Sequence, residues 1–516
     1  MKKCSYNGCT KNVFNGCDEC ILHCEKDKLS EDCDNGMLSS FYYALLTYMA
    51  EDMYESISKL NPEPQEKYDL KIKNYLKGIE ESEDTASKSF IEICNTSTVT
   101  FCGVFFPNHR DRDLSYIHLL SNIKRASFNR CKFNISPIYI TIVEMFFNKC
   151  EFLCFLEIPY QKWFSKGFHS PFTECKFLRN VQVIPSYDLS IISQLDSPLF
   201  ENCKFEEGLY FKNLKIKTQL FSYARTDVLE VFSLTIEDCE IEEKFILNDL
   251  KINSLLIKDS IFNFKVELKG NEIDEIKIIN TNFNGLFDSF DTKYEKFYCF
   301  KSIYSDFVGF EDCKFSALAT FKYVTFLSFT NFRNATFNQG LDLQTTNLKE
   351  APNFLNIDVL SNNTNRETFR IIKDSFDKIG NHIEANKFFG REMCKYEEEL
   401  PKKLFNQEKI IFKLNKLISN FGQSYIRPII LIVICTVLYS ILVLGHENNW
   451  LYTALPVEVN NTIGFIADIL NGGASNIIPF KNILKEGMEF VSLIFYIIFA
   501  SLIWQTIVAV KRHTRR

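Results

Sequence analysis

The chain has 516 residues, enough to bury large cores and to divide into several units. Its formal net charge of −6 is small for that length, which excludes both a strongly basic nucleic-acid binder and a polyacidic tail. Gly is sparse at 19 whereas Phe reaches 50, so some part of the chain uses Phe systematically.

The 18 cysteines fall into two populations: six lie within residues 1–33, and most of the rest recur at a fixed place in a repeat. The opening "MKKCSYNGCTKNV" lacks an apolar h-region, and the soluble part is expected to be cytosolic with reduced thiols. Within segment 1–33, Cys4, Cys9, Cys20 and His23 stand in a C-x4-C-x10-C-x2-H arrangement. Four soft ligands on so short a stretch suit a structural, tetrahedral zinc, which would supply the folding energy that a coreless segment lacks. Cys17 and Cys24 leave the ligand register open. The layout is similar to small Cys3His fingers, and no general base stands beside it to suggest a catalytic metal.

Residues 37–89 begin with apolar residues at helical spacing, in "LSSFYYALLTYMAEDMYESISKL", and then turn charged. One or two helices and a polar linker are expected, with Phe41, Tyr42, Tyr43 and Tyr48 on a core face.

From 90 to 360 an apolar residue recurs at every fifth position, which is the period of neither helix nor strand. Phe128 and Phe133 in "SFNRCKF" set the pattern. It returns at Phe147/Phe152, Phe172/Phe177, Phe200/Phe205, Ile236/Ile241 and Phe310/Phe315. In "ALATFKYVTFLSFTNFRNATFNQGLDLQTTNL" the centres are Phe321, Phe326, Phe332, Phe337, Leu343 and Leu348. Ala319, Val324, Thr330, Ala335, Leu341 and Thr346 stand two places earlier. A longer period of 21 joins Ile236/Ile241, Ile257/Phe262 and Ile278/Phe283.

This pattern resembles the pentapeptide-repeat family. The resemblance implies a mainly β fold, a right-handed quadrilateral β-helix in which four pentapeptides make one coil and both the centre and the small residue point inward. Cys131, Cys150, Cys175, Cys203, Cys239 and Cys313 are then interior packing residues rather than metal or redox groups. "FPNHRDRDLSYIHLL" at 106–120 reads as a loop out of the first coil. Some members of the family imitate DNA, which needs a strongly acidic surface. Residues 91–360 hold 34 Asp plus Glu against 29 Lys plus Arg, so neither mimicry nor nucleic-acid binding is expected.

Residues 364–426 read as amphipathic connector helices. Phe369, Ile372, Phe376, Ile379, Ile383 and Phe388 are spaced for one helix face. Ile410, Leu414, Leu417 and Phe421 form a second stripe beside Lys409, Lys413 and Lys416, as in a helix lying on lipid headgroups. Residues 427–516 then hold two uncharged apolar runs, 428–445 and 490–510, each long enough to span a bilayer. Their intervening loop, 446–489, carries only Lys481 and Lys485 against five acidic residues, whereas Arg427, Lys511, Arg512, Arg515 and Arg516 flank the runs. Charge asymmetry predicts a two-span hairpin with both termini in the cytoplasm. "TIGF" at 462–465 echoes a potassium-channel filter, but Ile466 replaces the Gly that would free the backbone to present its carbonyls.

The tail, with "NHIEANKFFGREM" and "IWQTIVAVKRHTRR", resembles bacterial inner-membrane proteins that fuse degenerate pentapeptide repeats to a two-helix hairpin. No phosphate loop, dinucleotide fingerprint, nucleophile elbow or HExxH helix occurs, and His109, His118, His169, His382, His446 and His513 share no spacing, so no catalysis is expected. Two readings follow. The first is a membrane-anchored, non-enzymatic scaffold or sensor whose β-helix binds a protein partner. The second is a membrane-permeabilising effector, a homo-oligomeric pore of the anti-phage kind, with the β-helix as its sensing module.

Overall fold

The structure is a computed structural model that describes residues 2–14, 16–26, 35–58, 98–108, 116–121, 123–137, 144–159, 170–185, 194–222, 230–360, 362–401, 407–448, 463–471 and 484–514. The chain forms two units, Met1–Asn362 and Asn363–Arg516.

The first unit is a parallel β-solenoid of about nine turns. In its regular part each coil makes four short segments, such as Phe245–Ile246, Lys251–Ile252, Ser254–Lys258 and Ile261–Phe262. Each pairs with the segment 21 residues on: Ile236 with Ile257, Ile257 with Ile278, and Phe262 with Phe283. Parallel stacking satisfies the backbone between coils and leaves side chains to alternate inward and outward.

The fivefold centres all turn inward. Phe128, Phe133, Phe147, Phe152, Phe321, Phe326, Phe332 and Phe337 are buried. They do not make one column. Phe101, Phe128, Phe147 and Phe172 stack at ring separations of 5.0, 5.1 and 4.9 Å, beside a second column of Phe106, Phe133, Phe152 and Phe177 at 4.7, 5.1 and 4.9 Å. Phe128 and Phe133 belong to adjacent columns and meet edge to face at 5.3 Å. Later coils build fresh columns, Phe262–Phe283–Tyr304–Phe326 on one face and Phe310–Phe332–Phe354 on another. Each buried ring contributes roughly 1.5–3 kcal/mol and each ring pair about 0.5–1.5 kcal/mol more.

Before many of the small inward residues the backbone turns through the left-handed region. Arg130, Lys149, Glu174 and Asn202 precede four of the cysteines, and Asp259, Asn280, Lys301 and Tyr323 repeat the corner in later coils, with φ between 49° and 56°. The cysteines are buried as expected and also work as donors. Cys131, Cys150, Cys175 and Cys203 direct their thiols at the carbonyls of Phe101, Phe128, Phe147 and Phe172, the ring residues one coil earlier, at 3.1–3.4 Å. Thr292 and Asn271 bond Leu268 and Leu247 in the same way at 2.5 and 2.7 Å. Burial pushes the Cys239 and Cys313 thiols up to about 12, so they keep their protons.

The helix Asn35–Ser58 closes the first strand, Thr98–Cys102. Phe41 meets Phe106 and Tyr116 edge-on, and Tyr48 stacks on Phe101 at 5.9 Å. The Tyr48 hydroxyl donates to the Thr100 carbonyl at 2.9 Å and accepts from the Cys102 amide at 3.2 Å, while Asp52 accepts from the Thr100 amide at 3.0 Å. Side chains thus pair the open edge that a neighbouring strand would otherwise claim. Of the stretch expected to be a loop at 106–120, residues 109–115 lie outside the described residues. Tyr116–Ser121 is a short helix that buries Tyr116, Leu119 and Leu120. The linker expected at 59–89 also lies outside them.

In the second unit the expected single stripe over 369–388 is broken. Arg366–Lys378 and His382–Glu399 are separate helices, each N-capped by an asparagine: Asn365 accepts from the Thr368 amide and Asn381 from the Glu384 amide. Gly380 turns between them at φ 77°. The break moves Ile379 and Ile383 off the buried face, leaving them 64% and 61% exposed, while Phe369, Ile372, Phe376 and Phe388 pack between the helices. Gln407–Ser419 follows, then two long apolar helices, Ile426–Glu447 and Glu489–Thr514. These pack side by side, with Tyr439 bonding Ser492 at 2.9 Å and its ring meeting Phe495. Residues 463–471 are helical, so the carbonyls of Ile463, Gly464 and Phe465 follow a helix rather than an extended filter.

Phe332 stacks between Phe310 and Phe354 at 5.3 Å on both sides. Phe332→Ala is expected to cost about 3–5 kcal/mol through the cavity it leaves. Phe332→Asp should cost more, because it buries a charge. Phe264→Ala, at an exposed site, should stay within about 0.5 kcal/mol. Thermal melts of the three variants check the inward register, and an unchanged profile for Phe332→Asp contradicts it.

Candidate metal centre

The first 26 residues fold around two tight turns. The Cys9 amide bonds the Tyr6 carbonyl at 3.0 Å, and a helical turn bonds the His23 and Cys24 amides to the Cys20 carbonyl at 3.0 and 2.9 Å. That second turn sets Cys20 and His23 three residues apart on one side. An antiparallel bridge between Lys3 and Asn12, with the Cys4 amide bonding the Lys11 carbonyl, brings Cys4 back to meet them.

Cys4, Cys9, Cys20 and His23 therefore converge, with all four ligand atoms within 4.8 Å of one another. A tetrahedral centre with metal–sulfur bonds of about 2.3 Å and metal–nitrogen bonds of about 2.0–2.1 Å places its sulfurs about 3.8 Å apart and sulfur from nitrogen about 3.5 Å apart. Cys9 Sγ lies 3.8 Å from Cys20 Sγ, and His23 Nδ1 lies 3.5 Å from Cys4 Sγ and 3.3 Å from Cys20 Sγ. These edges match, so the group could hold a metal ion. Four protein ligands would complete a tetrahedron and would leave no position for water.

The surroundings prepare the ligands. His23 Nε2 lies 3.3 Å from the Cys102 carbonyl, which fixes the proton on that nitrogen and turns the Nδ1 lone pair toward the sulfurs. The Cys20 amide donates to Cys4 Sγ at 3.1 Å, which holds that sulfur in place. Burial lowers the pKa of His23 and pushes the Cys9 thiol up to about 11. The imidazole is neutral and available, whereas the thiol keeps its proton in the absence of a metal and would release it to water on binding a cation. Cys17 and Cys24, which left the register open, are not in this group. Cys24 directs its thiol at the Ile21 carbonyl at 3.9 Å.

Three residues that the spacing did not single out tie the centre to the solenoid. Tyr6 stacks on His23 at 4.1 Å and lies over Gly103, where a Cβ would collide with its ring. Gly103 has φ 67°, so both conformation and space demand glycine there. Lys26 is buried, and its ammonium donates to the Leu22, Cys24 and Phe105 carbonyls at 3.3, 3.0 and 3.1 Å while lying over the Phe41 and Phe105 rings. Desolvation brings its pKa down to about 8. The Phe105 amide completes the joint with a 2.8 Å bond to the Leu22 carbonyl. A lysine after a cysteine-rich run carries no sequence signal for such a place.

Comparison of the chain with protein-family models, with curated proteins and with solved structures finds no match.

Because the metal group and the first coil share these bonds, removing the metal should loosen both. Cys20→Ser and His23→Ala are expected to abolish most bound metal by elemental analysis. Amide exchange at Phe105 should accelerate at least about tenfold, equivalent to about 1.4 kcal/mol of lost local stability, with the coils beyond residue 230 unaffected. Unchanged metal content contradicts the ligand assignment.

Proposed function

We propose that the chain is a membrane-anchored, non-enzymatic scaffold or sensor. A solenoid of the pentapeptide-repeat kind binds a protein partner from the cytoplasmic side of a bacterial inner membrane, the hairpin holds it there with both termini inside, and a zinc ion occupies the Cys4, Cys9, Cys20 and His23 group as a structural centre.

One observation carries the binding role: an uncharged, apolar side on a solenoid otherwise covered with ion pairs. From Ile261 on, the outward column through Asn282, Ile303, Thr325 and Asn347 holds no charged residue, whereas the two coils before it place Lys215 and Glu240 there. Phe264, Tyr323, Leu327 and Phe329 are exposed in the turns beside it, Phe264 and Tyr323 both by 52%. Earlier in this column Lys215 pairs with Glu240, and elsewhere the wall pairs Lys258 with Glu237 and Lys293 with Glu272 between successive coils. Water gains nothing from a run of exposed rings, and such a patch on a rigid rod suits a partner's apolar face.

Anchoring is supported by the two long apolar helices. Only 6% and 17% of their most apolar windows are buried, unlike the core helices of a soluble domain. The cations concentrated at Arg427 and Lys511–Arg512 support the cytoplasmic placement. The choice of zinc rests on the closed Cys3His donor set.

The permeabilising alternative draws on one feature that an anchor does not need. Between the spans, the helix 463–471 exposes Ile463, Phe465, Ile466, Ile469 and Leu470, and Asn471 pins its end to the second span by bonds to Gly487 and Phe490 at 2.8 and 2.9 Å. A short apolar helix held there suits re-entry into a bilayer by an oligomer.

Proximity labelling in cells with the wild-type chain and with Ile303→Lys or Phe329→Asp tests the first reading. Both variants are expected to keep the wild-type melting profile and to lose the labelled partner by at least about tenfold. Depolarisation of bacteria by the full chain, absent from a chain ending at Ile426 and expressed at matched levels, would instead establish the second.

A further inference from the structure

Within the second unit, the helix Gln407–Ser419 has two unlike sides. One is held by protein: Phe412 packs on Tyr396 and Phe421 at 5.0 and 5.9 Å, and Lys416 pairs with Glu397 at 2.7 Å. Ser419 bonds Gln505 of the second long helix at 3.0 Å. The other side is bare, with Ile410, Ile411, Leu414 and Leu417 between 45% and 67% exposed.

The helix is fastened to one end of the hairpin. After it, Asn420, Phe421 and Gly422 turn through three successive left-handed conformations. Arg512 reaches into that turn to donate to the Phe421 carbonyl at 2.5 Å while its guanidinium lies over the Phe389 ring. Gln423 bonds the Asn386 carbonyl at 2.6 Å. The bare apolar side is therefore fixed beside the end of the spans that carries Arg427 and Lys511.

The charges there are unmatched. Lys409, Lys413, Arg427 and Lys511 have no carboxylate partner among the described residues, in contrast to the paired lysines of the solenoid wall. Apolar side chains and unneutralised cations, set together at the end of a hairpin, call for an occupant that offers hydrocarbon beside fixed negative charge.

We propose that this helix is a binding surface for anionic phospholipid, lying in the leaflet's interface with Ile410, Ile411, Leu414 and Leu417 toward the acyl chains and Lys409, Lys413, Arg427 and Lys511 on headgroup phosphates. The inference rests on the reading that the hairpin spans a membrane. A surface of this kind fixes the connector's orientation at the leaflet and makes it depend on lipid composition.

The test uses the full chain with a fluorescent amino acid at Leu414, or at Val437 within the first span, in vesicles containing brominated-chain phosphatidylcholine with or without about 30% phosphatidylglycerol. Val437 is expected to be quenched in both. Leu414 should be quenched at least about twofold more with phosphatidylglycerol, and K409E/K413E or high salt should remove that difference. Quenching of Val437 without any at Leu414 overturns the lipid surface alone. Equal quenching of Leu414 in both vesicles, insensitive to K409E/K413E, overturns recognition of anionic headgroups. Protection of Leu414 that appears only at a high chain-to-lipid ratio assigns the face to a second copy instead. Failure to quench Val437 removes the membrane-spanning reading itself, and the lipid surface with it.

Discussion

The left-handed residue that recurs at equivalent corners of successive coils is the constraint on which the solenoid depends. A parallel stack keeps its backbone bonds only if every coil follows nearly the same contour, and that contour needs a sharp bend at the same place each time. The bend falls three residues before an inward ring, at Asp259, Asn280, Lys301 and Tyr323 in successive coils. Among the described residues, ten of the sixteen non-glycine corners in the solenoid are Asn or Asp, whose short polar side chains tolerate this conformation. At Arg130, Glu174 and Tyr323 the side chain offers no such help, and the surrounding ladder must hold the backbone there. The small residue that follows is constrained by the same bend. It must fit inside the corner, and a thiol, hydroxyl or amide there can reach the carbonyl of the coil before it. Cysteine is common because it packs like a small hydrophobe and still offers a weak donor.

Once the contour repeats, aromatic stacking follows almost without choice. Rings in equivalent positions lie one coil apart, so ring separations near 5 Å are set by the backbone rather than by the rings. What such a fold cannot supply is an end: its first strand has a partner on one side only. Here the N-terminal end is closed twice, by Tyr48 and Asp52 from a helix and by Leu22 and Lys26 from the Cys/His segment. Each piece is joined by hydrogen bonds to the edge it covers. The metal group thus belongs to the energetics of the solenoid rather than to a separate module.

Much of this was legible in the chain because burial imposes a period. The fivefold rings, the small residue two places earlier and the ligand set Cys4, Cys9, Cys20 and His23 all follow from patterns that packing or coordination must repeat. Other features were hidden for physical reasons. The corner conformation falls on Asn or Asp at most places but also on residues as different as Lys and Tyr, so composition marks it only in part. The apolar spacing through Ile379 and Ile383 ran across a helix break. The signal that should have won was "GN" at 380–381, a glycine able to take the left-handed turn and an asparagine able to cap the next helix. Lys26 was illegible because its place is defined by three carbonyls, two of them its near neighbours and the third 79 residues away.

Function is less legible than fold for a related reason. The interior of a repeating rod is bound to its period, but the outer wall is free to vary coil by coil, so whatever the molecule recognises is written where no period enforces it. On that wall charge is mostly spent within the molecule: lysines and carboxylates one coil apart neutralise each other and keep the rod soluble without giving it a field. Departures from this neutral background therefore carry the information. The uncharged aromatic side around Ile303 and the unmatched cations beside the apolar face of Gln407–Ser419 are two such departures, opposite in kind. The first lacks charge where the wall has it, and suits a dry, apolar contact. The second has charge without a partner, and suits a surface that brings its own anions. On the reading proposed above, placing the two in separate units lets a lipid surface and a protein partner be held with neither contact competing for the other's residues.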